Sequence, residues 1–152
     1  MAHVASAEEK IRSFPERCHQ AGLKVTQQRR EIYALLAGSQ AHPCPEEIYE
    51  QIRDALPSLS LATVYKIVDQ FHRHGLLRKV PTRSQVARYD ARTEEHHHLV
   101  CTTCDGIEDV MLPPLPPRLT RLPDDIDFHA QSYELVFHGV CSACRATQRA
   151  QG

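Results

Sequence analysis

Four of the six cysteines fall into two Cys-x-x-Cys pairs, Cys101–Cys104 and Cys141–Cys144, with 36 residues between them. A pair on a tight turn lets two thiolates grip one ion. Two pairs complete a tetrahedral sulfur shell, which suits Zn²⁺ and leaves no open position for a substrate. The other chemistry open to such pairs is dithiol redox, which needs a strand-to-helix setting and a helix N-terminus to lower a thiol pKa. Here each pair is expected to flank a strand, so a structural zinc site is the expectation. Cys18 and Cys44 have no such partner. Cys18 is expected to pack on a helix face, and Cys44 lies two residues from His42.

A second constellation comprises Asp90, His96, His98 and Asp109, with His42 a further candidate. On a strand, His96 and His98 point to the same face and can share an ion. Asp90 ends a candidate hairpin, and Asp109 lies on the neighbouring candidate strand. Nitrogen and oxygen donors without sulfur favour Fe²⁺, Mn²⁺ or Zn²⁺, and more carboxylate favours Mn²⁺ and Fe²⁺. The plainer alternative is a solvated histidine run beside acidic loop residues. A third signal is Ser60-Leu-Ala-Thr-Val-Tyr-Lys66. Thr63, Lys66 and Gln70 share the helix face opposite the apolar stripe Val64, Ile67, Val68 and Phe71. That polar face is what a recognition helix needs to reach base edges in a major groove. Tyr65 can pack on a thymine methyl or bond a phosphate, and Arg29, Arg30, Arg83 and Arg88 are candidate phosphate contacts. An ordinary solvated helix face would look the same.

These residues need elements to hold them. Glu8 to Gln20 reads as a polar helix broken or kinked at Pro15. Thr26 caps a second helix carrying Ile32, Leu35 and Leu36, which stops at Gly38. Pro45 opens a third, with Glu46 and Glu47 in its first turn and Ile48, Ile52 and Leu56 as its stripe, ended by Pro57. Ser60 caps the next, which ends at Gly75. Leu76–Val80 and Gln85–Asp90 around Pro81-Thr82-Arg83-Ser84 read as a hairpin. Helices followed by a hairpin predict a winged helix-turn-helix, the alternative being a generic small helical domain. Beyond it, His97–Cys101, Ile107–Leu112 and Tyr133–Val140 read as strands. The proline-rich stretch 112–118 is expected to be an extended connector, followed by a short turn.

The chain has 152 residues, 41% hydrophobic and 24% charged, which fits one ordinary domain or two small ones. The fold expected is α+β: an N-terminal winged helix over 1–89 for DNA, then a small α/β metal-binding unit over 90–152. Residues 1–90 carry 13 basic and 10 acidic side chains, and residues 91–152 carry 5 and 9. The first part is therefore the better suited to nucleic acid, by a small margin. No apolar run approaches the roughly 20 residues that span a bilayer. Met1 to Lys10 lacks the apolar core of a signal peptide. A cytoplasmic protein without membrane attachment is the expectation.

In combination and order, Gly22-Leu-Lys-Val-Thr-Gln-Gln-Arg29, Ala41-His-Pro43, Glu47-Ile-Tyr49, Leu61-Ala-Thr-Val-Tyr65, Arg88-Tyr-Asp90, His96-His-His-Leu-Val-Cys101 and Gly139-Val-Cys141 resemble the Fur family of metalloregulators. The resemblance covers about Gly22 to Cys144. It implies a homodimer, with an N-terminal winged helix and a C-terminal α/β dimerisation domain, that represses transcription at a pseudo-palindromic double-stranded DNA operator. It also implies a regulatory metal, Fe²⁺ or Mn²⁺, between the two domains on His42, Asp90, His96, His98 and Asp109, beside a structural Zn²⁺. Arg29, Ser60, Thr63, Tyr65, Lys66 and Arg83 are the residues expected at the DNA. Iron sensors of the family usually place Glu at the positions of Asp90 and Asp109. The peroxide-sensing PerR branch usually places Asp at both, as here. In that branch bound Fe²⁺ reacts with hydrogen peroxide, a ligand histidine is oxidised, and DNA is released. The alternative is an iron-uptake regulator with Fe²⁺ as corepressor. A zinc-uptake regulator fits less well, because such sites usually include a cysteine ligand.

The sequence departs from the family at several points. Residues 113–123 replace a helix found in many relatives. Ser132 and Tyr133 stand where many have histidine, so no further metal site of that kind is expected. Asp105 stands where Gly is common, leaving Gly106 the turn role, and Lys66 stands where many have Arg. The rival classes are enzymes and a bare zinc-stabilised interaction module that would bind no DNA. A zinc deaminase would need His-x-Glu and Pro-Cys-x-x-Cys, and neither occurs here. A thiol oxidoreductase would turn over dithiols in a zinc-free form. The expectation is a regulator and not an enzyme.

Overall fold

A computed structural model describes residues 5–80 and 82–150. Pro81, expected to open the hairpin turn, and the first four residues of the polar N-terminus lie outside the described residues. The chain divides into two compact units, Met1–Glu94 and Glu95–Gly152. The break falls after Glu94, so Asp90, assigned to the second unit from sequence, closes the hairpin of the first.

The first unit runs α1 (Ala7–Gln20), α2 (Gln27–Gly38), α3 (Pro45–Ile52), α4 (Leu61–Arg73), β1 (Arg78–Val80) and β2 (Arg88–Asp90). Each helix start has a local cause. Ser6 and Glu9 form a capping box on α1. The Thr26 side chain accepts from Arg29 N–H, and Ser60 accepts from Thr63 N–H at 3.1 Å. The expected break at Pro15 does not occur, and α1 is continuous through it. Proline removes only one rung of the ladder, and buried Phe14 and Cys18 hold the helix down on either side. Phe14 stacks on Tyr33 at 4.5 Å between ring centroids, and both meet the edge of Phe71 at 5.6 and 6.0 Å. This cluster joins α1, α2 and α4. Arg17 fastens its rim, donating to Tyr33 Oη at 2.6 Å and to the Gly75 carbonyl at 3.1 Å. Gly75 turns the chain out of α4 at φ +72°.

The β1–β2 hairpin is antiparallel, with Lys79 opposite Tyr89. Its strands are shorter than expected. Leu76 and Leu77 are drawn into the core instead, and Thr82 Oγ1 donates to the Ser84 and Val86 carbonyls, folding the tip into a compact loop. Four helices and a two-stranded wing make a winged helix-turn-helix.

The second unit runs β3 (His97–Cys101), β4 (Ile107–Val110), a single turn α5 (Pro117–Thr120), β5 (Val136–Gly139) and α6 (Ser142–Ala150). Its sheet has the order β4-β3-β5, with β4 antiparallel and β5 parallel to β3. The proline-rich stretch is an extended connector that ends in α5, as its composition dictates. Helix α6 was not foreseen. Among the described residues of this unit the buried apolar side chains are Val100, Cys101 and Ile107, whereas Leu99, Met111, Leu119, Leu122, Ile126, Phe128, Phe137 and Val140 are exposed.

Candidate metal centres and nucleic-acid interface

Cys101 ends β3, and Cys104 follows on the turn into β4. Cys141 follows β5, and Cys144 lies in the first turn of α6. The parallel pairing of β3 with β5 sets Cys101 opposite Gly139 and brings the two turns together. One sulfur atom from each cysteine lies within 4.8 Å of the other three. Cys104 Sγ is 4.0 Å from Cys141 Sγ. A tetrahedral shell with Zn–S bonds of about 2.3 Å has edges of about 3.8 Å. None of the six cysteines is in a disulfide. Backbone N–H groups, Cys141's foremost, point at Cys101 Sγ and hold its thiol down to about 6. The neighbouring sulfurs, Cys141's first, push Cys144 up to about 12. Four thiolates this close need a cation among them, and the residues fit Zn²⁺. The turn chemistry differs from expectation. Asp105 takes the left-handed conformation at φ +56°, while a Cβ on Gly106 would come within 3.2 Å of Cys104 Sγ. The second pair does occupy a strand-to-helix junction, the setting reserved above for redox pairs. Convergence of all four sulfurs, which a dithiol does not require, fits a metal site.

The second donor set begins just before β3. His96 and His98 lie two residues apart, and their Nε2 atoms come within 3.0 Å of one another. Both are buried. Asp109 sits opposite His98 in the β3–β4 register. Its Oδ1 lies 3.5 Å from His96 Nε2 and 3.6 Å from His98 Nε2. His97 points the other way, accepts from Leu135 N–H and stacks on Tyr133. Sequence reasoning missed Glu134, whose Oε1 lies 2.8 Å from His98 Nδ1. It carries no motif, and only the parallel seating of β5 sets it beside β3. In the first unit, His42 Nε2 and Asp90 Oδ2 are both buried and 3.5 Å apart. Asp90 Oδ1 accepts from Arg92 N–H at 2.6 Å. Buried imidazole nitrogens converging on carboxylate oxygens, with no sulfur, are donors that fit Fe²⁺ or Mn²⁺.

The candidate DNA face lies on α4 and the wing. Ser60 and Thr63 share a hydrogen bond of 2.8 Å at the start of α4. Lys66 is exposed beyond them. Tyr65 is 45% exposed and donates its hydroxyl to Glu46 on α3. Arg83 is exposed in the wing loop, and Arg30 on α2. Two arginines have intramolecular partners. Arg29 donates to Gln70 Oε1 at 2.6 Å and to the Lys24 carbonyl at 2.7 Å, tying α2 to α4. Arg88 donates to the His42 carbonyl and to Glu47.

A winged helix-turn-helix joined to a unit with a four-thiolate site and a histidine–aspartate donor set defines the class of metal-responsive DNA-binding regulators. Residues 20–138 match the model of the Ferric uptake regulator family, and the chain belongs to that family. It is 29% identical over 143 residues to the peroxide-responsive repressor PerR of Staphylococcus aureus, covering 93% of this chain and 96% of that protein. Among solved structures it resembles the ferric uptake regulator Fur of Helicobacter pylori (TM-score 0.75, 25% identity, 95% of this chain and 97% of that one). It also resembles the manganese-bound ferric uptake regulator of Pseudomonas aeruginosa (TM-score 0.68, 26% identity, 84% and 96%). Among the described residues no helix is long and apolar enough to cross a membrane.

Proposed function

We propose that this protein is a repressor that binds its operator as a metal-loaded homodimer and releases it when peroxide oxidises a metal-ligand histidine. The first unit is the DNA-binding domain and the second the dimerisation domain. His42 and Asp90 of the first would share one ion with His96, His98 and Asp109 of the second, so that metal binding favours one posture of the two units over others. Zn²⁺ on Cys101, Cys104, Cys141 and Cys144 keeps the second unit folded. The observation that carries the peroxide reading is aspartate at both carboxylate positions, Asp90 and Asp109, supported by the similarity to PerR. When bound, Fe²⁺ supplies an electron to hydrogen peroxide, which Mn²⁺ does not readily do. His42 and His96 are the imidazoles proposed to take up oxygen. An oxidised imidazole is a poorer donor, so the hold between the units is lost.

Dimerisation is supported by Leu99, Phe137 and Val140, exposed apolar side chains lining a groove of about 510 Å³ on the second unit. A two-fold dimer offers two copies of α4 to two half-sites. Thr63, Tyr65 and Lys66 would face the bases, with Ser60, Arg29 and Arg83 near phosphates. Such a repressor works in the cytoplasm, beside its operator.

An iron-responsive regulator that uses Fe²⁺ purely as corepressor is the second reading, favoured by the likeness to the solved ferric uptake regulators. Mass spectrometry separates the two. After a low peroxide dose, the Fe²⁺-loaded protein should gain one oxygen on a peptide containing His42 or His96 and leave DNA. The Mn²⁺-loaded protein should do neither. If the Fe²⁺ form stays unmodified and bound, the iron reading replaces the peroxide one. Cysteine oxidation with zinc loss as the first event refutes the histidine mechanism.

A further inference from the structure

The loop before α3 holds His42 in an uncommon backbone conformation. Its φ is +50°, which a non-glycine residue adopts only where its surroundings hold it. Pro43 follows and narrows the conformations open to it further. All three residues of β2 engage this loop. Arg88 Nη1 donates to the His42 carbonyl at 3.1 Å. Tyr89 N–H donates to the Pro43 carbonyl at 3.3 Å. Asp90 Oδ2 lies 3.5 Å from His42 Nε2. The same Arg88 nitrogen is 3.1 Å from Glu47 Oε2, and that oxygen accepts the Cys44 N–H at 2.9 Å. One nitrogen thus joins the His42 carbonyl to a carboxylate that also holds the residue two positions on. The loop is gripped on both sides of Pro43.

We infer that Arg88 is a positioning residue for His42: with Glu47 it clamps the strained loop so that the imidazole faces Asp90. This inference rests on the reading of His42 and Asp90 as metal donors. It differs from the sequence expectation of Arg88 as a phosphate contact, because its guanidinium is engaged on the metal-donor side of the hairpin. Without the clamp the loop relaxes towards negative φ, and the imidazole must be ordered again each time an ion binds. Groups that orient metal ligands from outside typically carry about 10–100-fold of the affinity. Because a single nitrogen makes both contacts, a lysine ammonium can replace it, whereas an uncharged methyl cannot.

Mn²⁺ binding to the zinc-loaded full-length protein tests the clamp, measured by calorimetry alongside operator binding at rising Mn²⁺. R88A should lower Mn²⁺ affinity about tenfold or more and leave zinc content unchanged, and saturating Mn²⁺ should restore operator binding. R88K should recover most of the affinity. E47A, which removes the other arm, should weaken Mn²⁺ binding in the same direction and serves as the second variant if R88A folds poorly. H42A separates the two ideas. If H42A loses the Mn²⁺ site while R88A and E47A bind normally, the clamp is wrong and the metal reading stands. If H42A keeps full Mn²⁺ binding, the metal reading itself fails. If R88A binds Mn²⁺ normally but loses DNA at saturating Mn²⁺, Arg88 is a phosphate contact and the inference is overturned.

Discussion

Removing one zinc ligand should unfold the second unit and spare the first. Among the described residues, the buried aliphatic side chains of the second unit are Val100 and Ile107. Full burial of two such side chains contributes about 3–6 kcal/mol. Structural zinc in small domains is worth about 10–16 kcal/mol, well above the apolar contribution. The first unit differs: its core draws on all four helices, with Tyr33, Phe14, Phe71 and Ile32 fully buried. Cys141→Ser should therefore abolish bound zinc, measured by metal analysis and by release to a chromophoric chelator. Amide exchange should show β3, β4 and β5 unprotected, while α1 to α4 keep their protection and melt in a separate transition. If C141S retained one zinc per chain, or lost zinc with the second unit still protected, the assignment of that unit's stability to the metal would be wrong.

Other outcomes follow from the same geometry. Zinc needs thiolates, and Cys144 is pushed up to about 12 by its sulfur neighbours. Loading at neutral pH must therefore release protons, and affinity should keep rising with pH towards about 12; a pH-independent chelator competition would contradict this. Phe71→Ala opens a hole between Phe14 and Tyr33 and should cost about 3–5 kcal/mol in denaturant unfolding of the first unit. Gly75→Ala puts a Cβ on a residue at φ +72° with no atom in its way; backbone strain alone should cost about 1 kcal/mol, read as a lower Tm. Lys66→Ala should weaken operator binding more than binding to random DNA. Arg29→Ala should weaken both alike and lower stability by about 1 kcal/mol, because Arg29 ties α2 to α4.

Much of this protein was legible in the sequence wherever local chemistry sufficed. Thr26 and Ser60 announce helix starts because a side-chain oxygen three residues before an unpaired N–H satisfies it in any context. The stripe Val64, Ile67, Val68 and Phe71 fixes the inner face of α4 by its period alone. The two Cys-x-x-Cys pairs specify a thiolate site through ligand type and spacing. Other features waited on the fold. Pro15 breaks helices in general, yet here tertiary burial of Phe14 and Cys18 outweighs one lost hydrogen bond. Local turn preference assigned the left-handed residue to Gly106, but the sulfur of Cys104 needs that space and Asp105 takes the turn. Glu134 stands beside His98 only because β5 runs parallel to β3, a pairing between distant segments that no local pattern encodes. Arg88 looked like a phosphate contact from its charge. Its bond to the His42 carbonyl depends on a loop 46 residues earlier being folded against β2. Local residue chemistry was enough for caps, stripes and ligand types. Which groups hold those ligands in place was set by long-range packing, because that depends on contacts between residues far apart in the chain.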